Sequence, residues 1–286
     1  MKLYENLLTQ SGFIHKDDLH YPFDERGLQF GDGVYEVIRI YQGNYYLLTE
    51  HVERLIRSAK AIKLTLPYSE DQLYKQLNEL LIKNKVTSDA KVYLQVTRGS
   101  APRDHVFPGV SANFYAYVQD LPRPTTRLQE GVGVITQEDV RWHNCYIKSL
   151  NLLPNVLAKQ EAKENGCFEA ILHRDQTVTE CSSSNAYIVK DGKIFTHPET
   201  NNILHGCVRS RVKKLAKQNG ILLEETPFTL EQLNDADEVF LSSSTAEVMP
   251  IVAINQSLVN NGKPGKITRL LQTAYEQDAR IKKTIF

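Results

Sequence analysis

Lys148 is the residue of this sequence whose type and surroundings most directly suggest chemistry. It lies in the segment 144–150, among aromatic and apolar residues that favour partial burial. An amine held away from water loses its proton more readily, so it becomes a nucleophile able to form a Schiff base. The ordinary alternative is that Lys148 is a surface residue whose aliphatic stem covers apolar neighbours. The same explanation holds for most of the 34 basic residues of the chain.

Two segments could bind a phosphate. His205 and Gly206 precede a predicted helix that begins at Cys207, and the amide groups at a helix start favour negative charge. Residues 242–245 all carry hydroxyl groups and follow an apolar strand, so they could donate hydrogen bonds to a phosphate. Each segment also has an ordinary interpretation, because many helices bind nothing and hydroxyl-rich turns often cap the next element.

A charged loop at residues 102–105 could bind a carboxylate. Arg103 and His105 stand two positions apart there, after a predicted strand. The planar fork of an arginine matches a carboxylate, so the loop could hold an anionic substrate. A solvated charged loop explains the same residues, and these segments alone do not name a reaction.

The elements that must position these residues fall into two predicted domains. Residues 119–127 include Pro122 and Pro124, which disfavour helix and remove donors from a strand ladder. We therefore predict a small N-terminal α+β domain over residues 1–118, a linker over 119–129 and a larger C-terminal domain over 130–286.

Periodicity predicts both helices and strands in each domain. Thr49 is expected to cap a first helix, and Ser69 with Gln72 has the form of a capping box for a second. Later helices are predicted over 152–164 and 207–218, each ending at Asn-Gly. The remaining apolar runs predict strands at 34–41, 45–48, 91–97, 113–118, 132–136, 168–173, 177–179, 186–189 and 193–196. Helices inserted among short hairpins favour two α+β domains over a doubly wound sheet or a TIM barrel.

Composition narrows the class of protein. The 286 residues include 34 basic and 34 acidic side chains, so the chain lacks the net basic charge typical of a nucleic-acid-binding protein. The four cysteines are too scattered for paired zinc ligands and are typical of intracellular thiols. No apolar run approaches the length of a membrane span, and the N-terminal residues lack the apolar core of a signal peptide. We expect a cytoplasmic protein with no metal, nucleic-acid or membrane partner.

Several motifs in order carry a resemblance to a known family. Residues 26–36 end in Tyr35-Glu36, residues 50–55 include Arg54, and residues 178–185 contain Glu180 followed by serines. Over nearly the whole chain they resemble the fold-type IV aminotransferases, which use pyridoxal 5'-phosphate. Segments 148–162 and 97–105 resemble most the bacterial D-amino-acid aminotransferases of that family.

The resemblance assigns a role to each candidate residue. Lys148 is the catalytic lysine that bonds the cofactor, and Glu180 pairs with the pyridine nitrogen. The trap for the substrate carboxylate is Tyr35, Arg103 and His105, the last two reaching across the interface of a homodimer. The remaining cofactor-binding residues are Arg54, Leu204, Cys207, Val208, Ser243 and Ser244.

The implied reaction is ping-pong transfer of an amino group from D-alanine to 2-oxoglutarate, giving pyruvate and D-glutamate. A branched-chain L-aminotransferase, an aminodeoxychorismate lyase and a non-catalytic anion-binding protein of the same fold are the alternatives. Three positions depart from the pattern: Val208 replaces a hydroxyl residue, Cys181 replaces a small residue, and Pro154 lies near a helix start. One missing neutral hydrogen bond costs only about 1 kcal/mol, so we expect cofactor binding to survive.

Overall fold

The computed structural model describes residues 2–280, which divide into two compact units. The first unit comprises residues 2–123 and 147–151, and the second comprises residues 124–146 and 152–280. The segment 147–151, which the sequence-based division placed in the C-terminal domain, therefore packs with the first unit. It does so because its backbone pairs with a strand there: Tyr35 N donates to Lys148 O at 3.0 Å, and Leu150 N donates to Gly33 O at 3.1 Å.

The first unit is built on a six-stranded antiparallel sheet. Its strands are β1 (Asn6–Thr9), β2 (Gly12–His15), β3 (Gly33–Tyr41), β4 (Asn44–Tyr45), β5 (Ala90–Thr97) and β6 (Asn113–Asp120). They lie in the order β2-β1-β6-β5-β3-β4. The helices of this unit are α1 (Arg26–Phe30), α2 (Leu48–Ala61) and α3 (Glu70–Lys83).

The two faces of this sheet differ because side chains alternate along each strand. One face carries buried apolar residues such as Val34, Val92 and Phe114, and helices α2 and α3 cover it. The other face carries half-buried tyrosines, including Tyr35 and Tyr93, whose rings stack with centroids 5.8 Å apart.

The helix starts in this unit test the capping predictions. Helix α3 has the capping box predicted from Ser69 and Gln72, which confirms that prediction. The predicted cap at Thr49 is wrong, because α2 already begins at Leu48 and its N-cap is Leu47, in a left-handed conformation without a side-chain hydrogen bond. The strand predicted over 45–48 likewise ends at Tyr45, since the left-handed residue turns the chain into the helix.

The second unit contains a nine-stranded mixed sheet. Its strands are β7 (Val132–Glu138), β8 (Glu169–Arg174), β9 (Thr177–Cys181), β10 (Asn185–Lys190), β11 (Lys193–Thr196), β12 (Leu223–Glu225), β13 (Glu238–Ser243), β14 (Glu247–Ile254) and β15 (Ser257–Leu258). The main path is β12-β11-β10-β13-β14-β7-β8-β9, with parallel pairs at β11/β12, β14/β7 and β7/β8. Its helices are α4 (Thr125–Glu130), α5 (Leu153–Glu164), α6 (Cys207–Gln218), α7 (Leu230–Asn234) and α8 (Lys266–Arg280).

Local signals account for the helix bounds of this unit. The stops predicted at Asn-Gly are confirmed, since Gly166 and Gly220 have φ values of 69° and 70° just after α5 and α6. Pro154 lies in the first turn of α5, where a proline is tolerated. Helix α4 occupies part of the predicted linker, because Pro124 is its N-cap and a proline there removes no intrahelical bond.

Two observations concern the cellular environment. None of the helices in residues 2–280 is long and apolar enough to cross a membrane. Cys145, Cys167, Cys181 and Cys207 are all present as thiols.

Candidate active site

Lys148 is held at the edge of the first unit's sheet. Its carbonyl accepts from Tyr35 N, and its own amide donates to Ser58 Oγ on α2 at 3.1 Å. The half-buried side chain places Nζ 4.3 Å from the centre of the Tyr35 ring. Two residues that the sequence assigned to one site, Lys148 and Tyr35, are therefore in contact. A cation over the ring face is stabilised by it, so the amine has a defined position.

Arg54, on α2, is buried and fixed by a carboxylate from β3. Its Nε donates to Glu36 Oε1 at 2.7 Å, and its Nη2 donates to Glu36 Oε2 at 2.8 Å. His51 Nδ1 lies 2.7 Å from the same Oε2. Burial raises the pKa of Glu36, but the Arg54 guanidinium and the His51 imidazole outweigh it and hold that pKa well below its usual range. Glu36 is thus an anion that orients Arg54.

Sequence reasoning did not assign a role to Glu36 or His51. The sequence does contain a signal for a role of Glu36, because Glu36 lies between Val34 and Ile38 on the same buried face of β3. A carboxylate at such a position must find a partner, since burying an unpaired charge is costly. The partner itself depends on how α2 packs and is not visible in the pattern.

Arg103 and His105 lie together on an exposed loop between β5 and β6. The guanidinium carbon of Arg103 is 4.8 Å from the centre of the Phe30 ring, and the His105 and Phe30 rings are 5.5 Å apart. Arg26 lies 4.6 Å from the same ring centre and donates to the Asp104 carbonyl at 2.6 Å. One aromatic residue, Phe30, thus contacts two of the three side chains that were predicted to bind the substrate carboxylate.

Asp32 anchors the base of this loop. Its Oδ2 accepts from Arg26 Nε at 2.9 Å and from Arg98 Nε at 2.8 Å. Arg98 in turn lies over the ring of Phe107, at 3.7 Å from its centre. The loop therefore has an ordered base that is held by buried ion pairs, while its tip, with Arg103, is solvated.

In the second unit, Glu180 on β9 is a buried carboxylate with three donors. Oε1 accepts from Arg141 Nη1 at 2.6 Å and from Leu204 N at 3.0 Å, and Oε2 accepts from Asn185 Nδ2 at 2.8 Å. Burial raises the pKa of Glu180, and Arg141 opposes that rise. Leu204, assigned to the same group of residues from the sequence, is therefore in direct contact with Glu180.

Arg141 and Asp139 are members of this site that sequence reasoning missed. Arg141 donates from Nε to Asp139 Oδ1 at 2.8 Å and from Nη2 to Asp139 Oδ2 at 2.9 Å. The pair follows β7, far from Glu180 in sequence, and nothing in its local pattern distinguishes it from a charged turn. Only the order of strands in the sheet brings it to Glu180.

The start of α6 is the predicted anion site of this unit. Gly206 is its N-cap, without a side-chain hydrogen bond, and Cys207 and Val208 form the first turn. The first amides of a helix have no intrahelical acceptors, and the helix dipole favours an anion there. A Cβ on Gly206 would clash with Asn185 Oδ1, so glycine suits this close approach.

The strand ends beside Asn185 carry the predicted serines. Asn185 on β10 pairs with Ser242 on β13, and the chain then continues into Ser243 and Ser244, which are both half-buried. The Ser243 hydroxyl accepts from Ala246 N at 3.1 Å, which orders the turn. The structure thus brings Glu180, Leu204 and the start of α6 together around Asn185, with the serines on the neighbouring strand.

The three serines at positions 182–184 bind a carboxylate of the protein itself. The Ser183 and Ser184 hydroxyls donate to Glu169 Oε2 at 2.6 and 3.2 Å, and the Ser182 hydroxyl donates to Glu169 Oε1. They satisfy a buried carboxylate on β8. The departures Cys181 and Val208 are both buried in the second unit.

The amino-acid sequence is similar to known proteins over most of its length. Residues 33–254 match the family model described as amino-transferase class IV. The chain is 45% identical to D-alanine aminotransferase of Staphylococcus aureus strain COL over 275 residues, covering 96% of this chain and 97% of the relative. It is 44% identical to D-alanine aminotransferase of Listeria monocytogenes strain 10403S over 276 residues, with 95% of each chain covered. It is 45% identical to that of Bacillus licheniformis over 271 residues, covering 94% and 95%.

Solved structures also match this chain over nearly its whole length. Branched-chain amino acid aminotransferase of Escherichia coli superposes with a TM-score of 0.90 at 26% identity, covering 96% of this chain and 94% of that one. The branched-chain aminotransferase of Thermoproteus uzoniensis with norvaline has a TM-score of 0.89 at 26% identity, covering 98% and 96%. That of Thermobaculum terrenum, in its PLP-containing holo-form, shares the fold with a TM-score of 0.88 at 23% identity, covering 98% and 95%.

The extent of these matches confirms the aminotransferase family and the α+β fold class predicted from the sequence. The family model covers most of the chain, and the three relatives match 94–96% of the chain. This protein therefore belongs to the class IV aminotransferase family.

Proposed function

We propose that this protein is a D-amino-acid transaminase that uses pyridoxal 5'-phosphate. It transfers the amino group of D-alanine, and of other D-amino acids, to 2-oxoglutarate, giving pyruvate and D-glutamate. The observation that carries the proposal is the buried carboxylate of Glu180, fixed by three donors beside the start of α6. The 44–45% identity to D-alanine aminotransferases supports the choice of substrate.

The chemistry of the side chains fits this cofactor. A protonated pyridine nitrogen needs a carboxylate, and Glu180 Oε2 accepts from Asn185 with a second lone pair remaining. A phosphate needs amide, hydroxyl and cationic donors, which are offered by the first turn of α6, Ser244 and Arg54. The close packing of Gly206 against Asn185 links the carboxylate and the helix start in one framework. Leu204 and Ser243 complete the proposed cofactor-binding residues.

When bound, pyridoxal 5'-phosphate supplies a conjugated ring that accepts the electron pair left on the substrate's Cα. Glu180 serves this chemistry by keeping a proton on the ring nitrogen. Lys148 would hold the cofactor through Nζ and would serve as the general base for the Cα proton. Tyr35, in contact with Nζ, holds the amine in place.

The carboxylate of the substrate is bound by Tyr35, Arg103 and His105. Arginine offers a bidentate fork to a carboxylate, and the Phe30 ring contacts both Arg103 and His105. The side on which the carboxylate is bound fixes which face of Cα presents its proton to Lys148. These residues, rather than the lysine, therefore select the D-enantiomer.

We also propose a homodimer in which Arg103 and His105 reach the partner's site. Exposed apolar side chains support an interface in each unit: Val106 and Phe107, 72% and 53% exposed, follow His105 directly. Leu153 and Leu157, 68% and 61% exposed, form a second apolar stripe on α5. Clusters of exposed apolar side chains are typical of protein–protein contacts. A cytoplasmic location is proposed on the basis of the four thiols, which are typical of a reducing compartment.

Parallel incubations with D-alanine and L-alanine test the substrate assignment. With 2-oxoglutarate present, we expect pyruvate from D-alanine only. Turnover of L-alanine or L-leucine with none of D-alanine would contradict the D-specific reaction and favour the branched-chain alternative, the function named in the solved relatives.

The role of Lys148 is tested with Lys148→Ala. We expect this variant to lose both the visible absorption of the covalently held cofactor and turnover. Lys159→Ala, which alters a half-exposed lysine on α5, is the matched control and should retain both. A purified protein that stays colourless with added pyridoxal 5'-phosphate would refute the proposed function.

A further inference from the structure

Arg141 and Asp139 lie directly behind Glu180, and the mechanism proposed above does not use them. Arg141 donates to Glu180 at 2.6 Å and forms two hydrogen bonds with Asp139 at 2.8 and 2.9 Å. The exposed fractions of the Arg141, Glu180 and Asp139 side chains are 6%, 4% and 0%. A guanidinium fixed at both ends in a buried site acts on both carboxylates with little screening by solvent.

We propose that Arg141 and Asp139 are positioning residues that set the proton balance between Glu180 and the cofactor's ring nitrogen. Arg141 keeps Glu180 an anion and occupies Oε1, so that Oε2 is directed to the ring nitrogen. Asp139 offsets the charge of Arg141, so that Glu180 remains basic enough to hold the ring proton. This inference rests on the proposed function, because it concerns the cofactor named there.

The environment of Glu180 explains the need for Arg141. Burial raises the pKa of Glu180, and the guanidinium opposes that rise. Without the guanidinium, the buried carboxyl group would itself take up a proton as the pH falls. A neutral carboxyl group no longer stabilises a protonated ring nitrogen.

The environment of Asp139 explains the opposite requirement. Burial raises the pKa of Asp139, but hydrogen bonds from Arg141 and Thr179 and the nearby charge of Arg174 lower it overall. Thr179 Oγ1 donates at 2.9 Å, and Arg174 Nε lies 3.2 Å from Oδ2. Asp139 therefore remains an anion and offsets the charge of Arg141. Were it neutral, Arg141 would act on Glu180 alone and weaken its hold on the ring proton.

Cys145, Cys181 and Tyr187 also face Glu180, and none of these three groups changes charge near neutral pH. Burial raises the pKa of Cys145 to about 11. Burial also raises the pKa of Cys181 and of Tyr187, each above its usual range. Between about pH 6 and 9 these groups are neutral. A comparison of two ligands that carry the same phosphate group therefore reports on Glu180 and the ring nitrogen, because the phosphate titrates alike in both.

The test compares two ligands of the apoprotein. One is pyridoxal 5'-phosphate, and the other is its 1-deaza analogue, in which a C–H group replaces the ring nitrogen. Their dissociation constants are measured by quenching of Trp142, the chain's single tryptophan, between about pH 6 and 9. The ratio of the two constants measures the contact with the ring nitrogen and requires no turnover.

For the wild-type protein we expect the analogue to bind about 10-fold to 100-fold more weakly at every pH, as for loss of a charge-assisted hydrogen bond. Arg141→Met should reduce the ratio below about threefold at pH 6 and restore it towards pH 9, since Glu180 then ionises late. Asp139→Asn should do the reverse and reduce the ratio at pH 9. Arg141→Lys, which keeps the charge, should retain the ratio at pH 6.

The control is Arg39→Met, which removes another buried arginine, on β3; its ratio should equal that of the wild type. A purely structural role for Arg141 and Asp139 would weaken both ligands alike and leave every ratio unchanged, which would overturn the inference. A wild-type ratio near one would also overturn it. Failure of the wild type to bind either ligand would instead refute the proposed function, and this inference with it.

Discussion

Glu180 and Arg103 are both assigned to ionic partners of opposite charge, yet they are held in different ways. Glu180 is buried and accepts three hydrogen bonds from the protein, from Arg141, Asn185 and the Leu204 amide. Arg103 is exposed, on a loop whose tip is organised mainly by the ring of Phe30. The region around Glu180 is a buried hydrogen-bond network, whereas Arg103 lies at the solvated tip of a loop whose base is ordered.

This difference indicates which property each region contributes. A satisfied buried network is rigid, so it can define the position and protonation of one atom, but loss of any member leaves a buried charge without its partner. An exposed cation on an aromatic platform contributes little to stability and can adapt to different carboxylates. We therefore expect changes near Glu180 to alter folding and changes near Arg103 to alter substrate binding.

The largest expected effect is the loss of stability in Glu180→Ala. Removing the carboxylate leaves the amide donors and Arg141 Nη1 without their acceptor, so the free energy of unfolding should fall by about 3 kcal/mol. Urea denaturation followed by circular dichroism measures it. Glu130→Ala, at the exposed end of α4, should change stability by less than about 0.5 kcal/mol. Equal stability of the two variants would contradict the contrast between buried and exposed charges.

The next effect is the pH-dependent cost of Asp139→Asn. The variant should be about 2 kcal/mol less stable than the wild type at pH 7, because a buried charged acceptor is lost. The pKa of Asp139 is lowered in the folded state, against the effect of burial, mainly by Arg141. Its contribution is present above the unfolded pKa of about 3.9 and is lost as the pH falls through the folded value.

Measured from pH 7 down to about pH 2, the difference between the unfolding free energies of the wild type and of Asp139→Asn should therefore stay constant to about pH 5 and then shrink as the pH falls towards the lowered pKa of Asp139. Parallel denaturation series at fixed ionic strength provide the measurement. A difference that stays constant over this range would show that the charge of Asp139 is not responsible for the stabilisation.

A smaller change in free energy is expected for Arg103→Met, and it should affect substrate binding rather than folding. The Michaelis constant for 2-oxoglutarate should rise about tenfold, as for loss of one charge-assisted contact with a carboxylate. The unfolding free energy should change by less than about 0.5 kcal/mol. Arg57→Met, at an exposed position on α2, is the control for loss of a positive charge. An unchanged Michaelis constant would remove Arg103 from the proposed site.

The smallest effect is expected for Phe30→Leu, which removes the aromatic platform and keeps the loop sequence. Cation–ring contacts at exposed sites contribute about 0.5–1 kcal/mol, so the Michaelis constant should rise about threefold. Phe13→Leu removes another such contact, with Lys83 at 5.0 Å, and should leave the constant unchanged. A rise as large as that of Arg103→Met would show that the loop is less ordered than its base suggests.

Local sequence determined much of the framework of both regions. The capping box at Ser69, the bounds of α6 and the Asn-Gly stops follow from hydrogen bonds and backbone conformations within a few residues. Alternation of apolar residues predicted most strands for the same reason. The ordered motifs around Arg54, Lys148 and Glu180 were sufficient to place the chain in its family.

Only the tertiary structure decided which charges meet. Arg141 and Glu180 lie 39 positions apart and come together because β8 lies between β7 and β9 in the sheet. Glu36 and Arg54 meet because α2 packs against β3, and residues 147–151 join the first unit because their backbone completes that strand's pairing. Periodicity reports the preferences of neighbouring residues, whereas an ion pair between distant positions depends on strand order and helix packing, which no local pattern encodes.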